Sequence, residues 1–256
     1  MKSPVVITIP LYQTNLRDFE IASLKQCLSV LGDFPISFVV PKKLDVTDFV
    51  KTYKLEKCSF ETFNDDFFTS VLGYNRLMLS EQFYKRFSEY KHLLIYQLDA
   101  YVFKNELLDW CNKDYDYIGA PWIASPNTFI KKIEKIFHSK KKKKRSKIFF
   151  KVGNGGLSLR NVQKHAEIAL EMEGDIEQML SSNKDDFTVM EDVFWSIKVP
   201  KEYPDFSIPF YKEALGFAID RKPELAFKLN KNQLPFGCHG FEKPKVKSFW
   251  KTKIKY

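Results

Sequence analysis

Three uninterrupted apolar runs mark the first hundred residues: Val5–Pro10 (VVITIP), Ile36–Val40 (ISFVV) and His92–Leu98 (HLLIYQL). None alternates polar with apolar residues, so each predicts a strand buried on both faces rather than one with a solvated side. Between them lie stretches of helical spacing. Leu16–Leu31 places Phe19, Leu24, Cys27, Leu28 and Leu31 on one face and stops at Gly32. Val46–Tyr53 predicts a short helix, Cys58–Phe60 a third strand, and the chain from Arg76 to Tyr90 a long helix. Such alternation predicts an α/β fold with a mainly parallel central sheet flanked by helices, in which ligands bind beyond the carboxyl ends of the strands.

Beyond Leu98 the pattern becomes mixed. A short helix is expected at Leu107–Cys111, a strand at Tyr117–Trp122, a glycine-opened strand at Val152–Arg160, a helix at Val162–Met172, and another from Val193 to Lys198. The remainder, rich in Pro and aromatics, is expected to be irregular. At 256 residues the chain has apolar content for one large core. The expected organisation is a single domain over 1–242, with a basic loop inserted at 131–151 and a basic C-terminal tail at 243–256.

The net charge of +9 suggests a nucleic-acid binder until it is located. Residues 131–151 hold 11 Lys and Arg against Glu134 alone, and residues 241–256 hold 6 against Glu242, whereas 1–130 and 152–240 are net −2 and −4. The body is therefore mildly acidic, and the run Lys140–Arg145 repels itself and resists burial. The aromatics, 24 Phe, 12 Tyr and 4 Trp, fall in the apolar segments rather than among the lysines, which speaks against base stacking. Four dispersed cysteines without a CxxC pair give no zinc ribbon and fit a reduced, cytoplasmic protein. No apolar run nears the roughly 18 residues of a membrane span, so the expectation is a soluble protein or one held peripherally at a membrane surface.

Four sites carry residue types suited to chemistry, each with a plainer reading beside it. Asp99 directly follows the third apolar run; it either caps the next turn or offers an oxygen ligand to a hard cation at the sheet's carboxyl edge. The string GNGG, Gly153–Gly156, is either a turn or a place where a ligand approaches the backbone. Glu191-Asp192 either cap a helix or supply a carboxylate that takes a proton from an attacking hydroxyl. His239, between Cys238 and Gly240, is either a hydrogen-bonding loop residue or the completion of a manganese site begun by a distant Asp. No nucleophile elbow, phosphate loop or dinucleotide fingerprint occurs.

As an ordered set, YNRLMLS (Tyr74–Ser80), YQLDAYVF (Tyr96–Phe103), YDYIGAPW (Tyr115–Trp122), VGNGGLSLR (Val152–Arg160), EDVFW (Glu191–Trp195) and LPFGCHGFE (Leu234–Glu242) resemble a bacterial family of formerly unassigned function that is similar to GT-A-fold glycosyltransferases, with relatives in polysaccharide and O-antigen gene sets. The likeness spans about residues 5–242 and implies a GT-A-like, Rossmann-like fold. It implies that Asp99 stands at the DxD metal motif, here Asp-Ala-Tyr without the second acid, and that His239 completes the metal shell, the ion being Mn2+ or Mg2+. Gly155 and Gly156 would line the sugar pocket, and Glu191 and Asp192 would include the base of an inverting transfer. Pro10 and Tyr12 would hold the nucleotide base, and Asn75 and Arg76 the ribose or phosphate. The implied activity moves a sugar from a nucleotide-diphosphate donor, UDP-sugar first, to a glycan or lipid-linked glycan, at the inner face of the membrane. Lys140–Arg145 and the tail would touch anionic lipid. The competing classes are a basic module binding nucleic acid or anionic membrane, and a nucleotidyltransferase.

Overall fold

The computed structural model describes residues 3–124, 147–181 and 189–255. The three apolar runs form β1 (Val5–Pro10), β2 (Ile36–Pro41) and β4 (His92–Tyr96), with every residue buried. With β3 (Ser59–Phe63), β6 (Tyr117–Gly119) and β7 (Leu157–Asn161) they make a sheet in the order β3-β2-β1-β4-β7-β6. β1 pairs in parallel with β2 and β4, and β2 with β3, whereas β7 runs antiparallel to β4 and β6. The sheet is thus mainly parallel, as the unbroken apolar runs require. The chain builds outward from β1 to β3 and then returns to lay β4 on the other side of β1. That reversal opens a crevice at the carboxyl ends of β1 and β4.

A second, three-stranded sheet lies beside this crevice. β5 (Ala100–Val102) leaves the end of β4 and pairs antiparallel with β9 (Gly237–His239), which pairs in parallel with β8 (Ala218–Ile219). Helices cover the large sheet. Asp18–Leu31 lays Ser23, Leu24, Cys27 and Leu31 against it, each buried Leu contributing on the order of 1.5–3 kcal/mol. Trp195 is fully buried, lies tilted against His165 (centroids 4.3 Å apart) and donates Nε1–H to the Met78 carbonyl at 3.2 Å.

Several local expectations are corrected. The single helix expected from Arg76 to Tyr90 is two, Val71–Met78 and Glu81–Lys85. The first begins earlier because the Ser70 hydroxyl accepts from Gly73 N–H at 3.0 Å, and the break falls where Ser80 Oγ donates back to the Leu77 carbonyl at 2.8 Å. The helix expected from Val193 starts at Glu191 and passes through a wide π-turn at Phe194–Lys198. The region expected to be irregular holds the helices Tyr211–Phe217 and Pro223–Leu229. Within the basic C-terminal segment Val246, Trp250 and Ile254 are buried in a second apolar cluster with Phe241 and Leu215. Of the basic loop, only residues 147–151 are among those described; Lys140–Arg145 lie outside the described residues. Among the described residues no helix is long and apolar enough to cross a membrane.

Candidate active site

Asp99 is placed by a tight turn at the exit of β4. Gln97 N–H donates to the Gly156 carbonyl at 2.9 Å, and Ala100 N–H closes back on the Gln97 carbonyl at 2.8 Å. The β5–β9 ladder then sets Ala100 opposite His239, and Gly240 N–H donates to the Asp99 carbonyl at 2.8 Å. Two residues far apart in sequence are thereby brought together: His239 Nε2 lies 3.0 Å from Asp99 Oδ1. The other ring nitrogen lies 3.3 Å from Oδ1 of Asp220, which also accepts from Lys243 Nζ at 3.1 Å. Gln97 Oε1 is 3.2 Å from His239 Nε2.

The electrostatics follow from this sandwich. Burial disfavours the charged imidazole, yet the two facing carboxylates push His239 up to about 9. Burial likewise opposes ionisation of Asp99 and Asp220, and His239 and Lys243 outweigh it, holding both carboxyls below their ordinary value. Tyr101, two residues after Asp99, turns its ring to Phe103 and Phe241, with centroids 5.4 and 5.8 Å away.

The glycine pair separates the histidine from the acid pair. A Cβ on Gly156 would lie 2.0 Å from His239 Nε2, and one on Gly155 would lie 1.8 Å from Glu191 Oε1. Only bare backbone fits between them. Glu191 is 4% exposed, and its carboxylate meets Arg160 Nη2 at 3.0 and 3.1 Å. Asp192 is half-buried and accepts from Val193 N–H at 2.8 Å. Burial and the neighbouring Glu191 charge push its carboxyl up to about 7, a value suited to gaining and losing a proton near neutrality.

Two adjoining cavities of about 520 Å³ each open at this edge. Pro10, Tyr12, Arg17, Asp99 and Lys243 line the first; Tyr12, Asn75, Gly155, Gly156, Asp192 and His239 line the second. Tyr12, Gln97 and Lys243 belong to both. Nine of the ten residues expected at a site are therefore brought to this crevice, Glu191 among them on the wall of the second cavity. The exception is Arg76, whose guanidinium turns away to pair with Glu177 at 2.6 Å. Its neighbour Asn75 is buried and faces the crevice, its Oδ1 accepting from Glu191 N–H at 3.4 Å. Four residues of the site, Gln97, Lys243, Asp220 and Arg17, escaped the sequence reading. Gln97 had a signal, an amide two positions before Asp99. Lys243 was hidden in the basic tail, and Asp220 follows a two-residue strand too short to show a pattern.

Among the described residues no group of three or more His, Cys, Asp and Glu side chains is arranged to hold a metal ion. A smaller donor set does fit one. Nε2 of His239 with Asp99 Oδ1 at 3.0 Å and Gln97 Oε1 at 3.2 Å match the roughly 3.0 Å between adjacent corners of an octahedron with bonds of about 2.1 Å. Asp220 behind Nδ1 is the outer carboxylate that orients a ligating imidazole.

Residues 57–239 match the family model described as "Protein of unknown function (DUF5672)". No curated protein is a significant match to the sequence. Among solved structures the chain is similar to apo mouse xyloside xylosyltransferase 1, with a TM-score of 0.55 and 10% identity over 91% of this chain and 96% of that one. It is also similar to the apo glycosyltransferase GlyE of Streptococcus pneumoniae TIGR4, with a TM-score of 0.51 and 13% identity over 99% of this chain and 61% of that one. At these identities what is shared is the fold, the GT-A type expected from the motifs.

Proposed function

The chain belongs to the DUF5672 family, and from the geometry of its crevice we propose that it is a glycosyltransferase that moves a sugar from a nucleotide-diphosphate donor to a hydroxyl of a glycan or lipid-linked glycan. The observation that carries this reading is the pair of cavities meeting at Tyr12, Gln97 and Lys243, with the Asp99–His239–Asp220 array at the junction and Asp192 on the wall of the second.

The roles follow from chemistry. Tyr12, 47% exposed beside Pro10, offers a ring face to a nucleotide base. Lys243 and Arg17 present cations to a diphosphate in the first cavity. A divalent cation, Mn2+ or Mg2+, held by Asp99 and His239 would act as a Lewis acid on the diphosphate. Gly155 and Gly156 line the second cavity, where the sugar would lie, and their lack of a Cβ lets Glu191 and His239 close directly on the backbone at its wall. Asp192, ionised above about pH 7, takes the proton of the acceptor hydroxyl as its oxygen bonds to the anomeric carbon. The bond from that carbon to the phosphate oxygen breaks, and its electron pair leaves with the nucleoside diphosphate. Attack from the face opposite the leaving group gives inversion. UDP is the first donor to try, with acceptors from polysaccharide or O-antigen assembly.

Purified protein is to be incubated with a panel of nucleotide sugars, with and without Mn2+. Turnover lost in Asp99→Ala and Asp192→Asn is expected; a protein that binds none of them, unaffected by Asp99→Ala, refutes the reading. A peripheral site at the inner face of the membrane, through Lys140–Arg145 and the basic C-terminal residues, belongs to the same proposal, at up to about 1 kcal/mol per basic residue near anionic headgroups. Sedimentation with vesicles that ignores their anionic lipid content removes that part alone.

A further inference from the structure

Arg160, on β7 between β4 and the edge strand β6, is a wholly buried guanidinium. Its Nη1 donates to Tyr84 Oη at 2.9 Å and its Nε to Ser158 Oγ at 3.1 Å, Nη2 meets Glu191, and the Tyr117 ring lies 5.4 Å from its Cζ. Ser158 Oγ in turn donates to the Gly155 carbonyl at 3.0 Å. Glu191 holds its carboxylate against Gly155 and donates its backbone N–H to Asn75 Oδ1. One buried ion pair therefore ties β7, the glycine turn and the two short helices before β4 to the helix start that carries Asp192. Buried pairs of this kind contribute little net stability compared with apolar residues of the same volume, so fold maintenance alone gives no reason for it.

We infer that Arg160 and Glu191 are the positioning pair of this site, fixing the Gly155 turn and the helix start so that Asp192, and not Glu191, is the carboxylate that accepts the proton. What Asp192 does rests on the glycosyltransferase reading; how it is held does not. The charged groups that face Asp192 are Glu191 and Asp220, which push its carboxyl up, and Arg160, which with the Val193 amide pulls it down. His239 and Lys243 line the same cavity.

The test is Glu191→Gln, which keeps shape and removes charge. Carboxyl-carbon NMR of Asp192 reads the positioning directly, calorimetry with UDP reads donor binding, and the pH profile of kcat reads the chemistry. The Asp192 titration is expected to move to lower pH, because a repelling charge is gone and Arg160 is left unopposed. UDP affinity should stay within about twofold while kcat falls at least about tenfold. An unchanged Asp192 titration with wild-type kcat overturns the inference. If the wild type turns over no nucleotide sugar, the glycosyltransferase reading fails while the NMR titration still decides the positioning. Should Glu191→Gln not fold, the Arg160→Met/Glu191→Leu double variant removes both buried charges; lost turnover with retained UDP binding is expected there, and wild-type turnover overturns the inference.

Discussion

His239 Nε2 lies 3.0 Å from Asp99 Oδ1 while its Nδ1 lies 3.3 Å from Asp220 Oδ1, so one imidazole is held between carboxylates from different parts of the chain. Burial opposes its charged form, but the two carboxylates push the ring up to about 9, above its ordinary value near 6.5. Its contribution to stability is therefore complete below about pH 6.5 and lost as pH rises through 9. Asp99 and Asp220 are depressed, so theirs is present above the ordinary carboxylate range and lost as pH falls through their lowered values. Urea midpoints should already fall as pH rises from the ordinary carboxylate range to about 7, where native Asp192 gives up its proton, and fall further towards pH 9.5 as His239 loses its own. In Asp220→Asn the His239 ring, followed by NMR, should titrate lower and the alkaline decline should flatten. A wild-type midpoint flat from pH 6.5 to 10 contradicts the arrangement.

Gly156→Ala drives a methyl to within 2.0 Å of His239 Nε2, and Gly155→Ala drives one to 1.8 Å from Glu191 Oε1. Overpacking of this sort costs about 1–3 kcal/mol. Both variants should lose more activity than stability, since each displaces a side chain of the crevice. Gly174→Ala is the control: it meets nothing within 4 Å and sits in the helix Glu173–Ser181. It should be neutral or stabilising by up to about 1 kcal/mol. Denaturant midpoints and turnover on the same preparations separate the three.

The parallel half of the sheet was legible because strands buried on both faces must be mostly apolar, and β1, β2 and β4 are, with Thr8, Ser37 and His92 the polar exceptions. The short elements were not: β8 is two residues and β9 three, below any period a sequence can display. The site was legible as separate residues and not as an array. Nothing local in the sequence pairs Ala100 with His239; the β5–β9 ladder does. Arg160 looked like the polar end of a strand, and only the surrounding Tyr84, Tyr117 and Glu191 show why a charge sits inside. Asn75 and Arg76 were expected to act together, yet successive residues on the helix Val71–Met78 point about 100° apart. Only Asn75 reaches the crevice.

That rotation gives a direct prediction. The Arg76–Glu177 pair is 43% and 49% exposed at its two side chains, and such pairs contribute about 0–1 kcal/mol. Arg76→Ala should leave kcat and the donor KM within about twofold, with little change in the denaturant midpoint. Asn75→Ala should reduce turnover, because its side chain lines the second cavity and holds the Glu191 amide. A tenfold rise in donor KM for Arg76→Ala would place that guanidinium at the donor after all.

The basic C-terminal segment makes the sharpest contrast between charge and packing. Trp250 is 1% exposed, stacks on Phe103 with centroids 5.7 Å apart and meets Phe249 edge-on at 4.9 Å. Trp250→Ala should cost about 3–5 kcal/mol, whereas Lys245→Ser and Lys251→Ser, both exposed, should each stay within about 0.5 kcal/mol. The segment begins at Lys243, whose amine is held on Asp220 behind His239. Loosening the tryptophan anchor should therefore weaken nucleotide binding as well as the fold, and the lysine changes should leave both intact. Calorimetric UDP titration beside thermal unfolding reads the two effects; equal responses of the Trp250 and lysine variants would mean that the segment acts through its charge and not its packing.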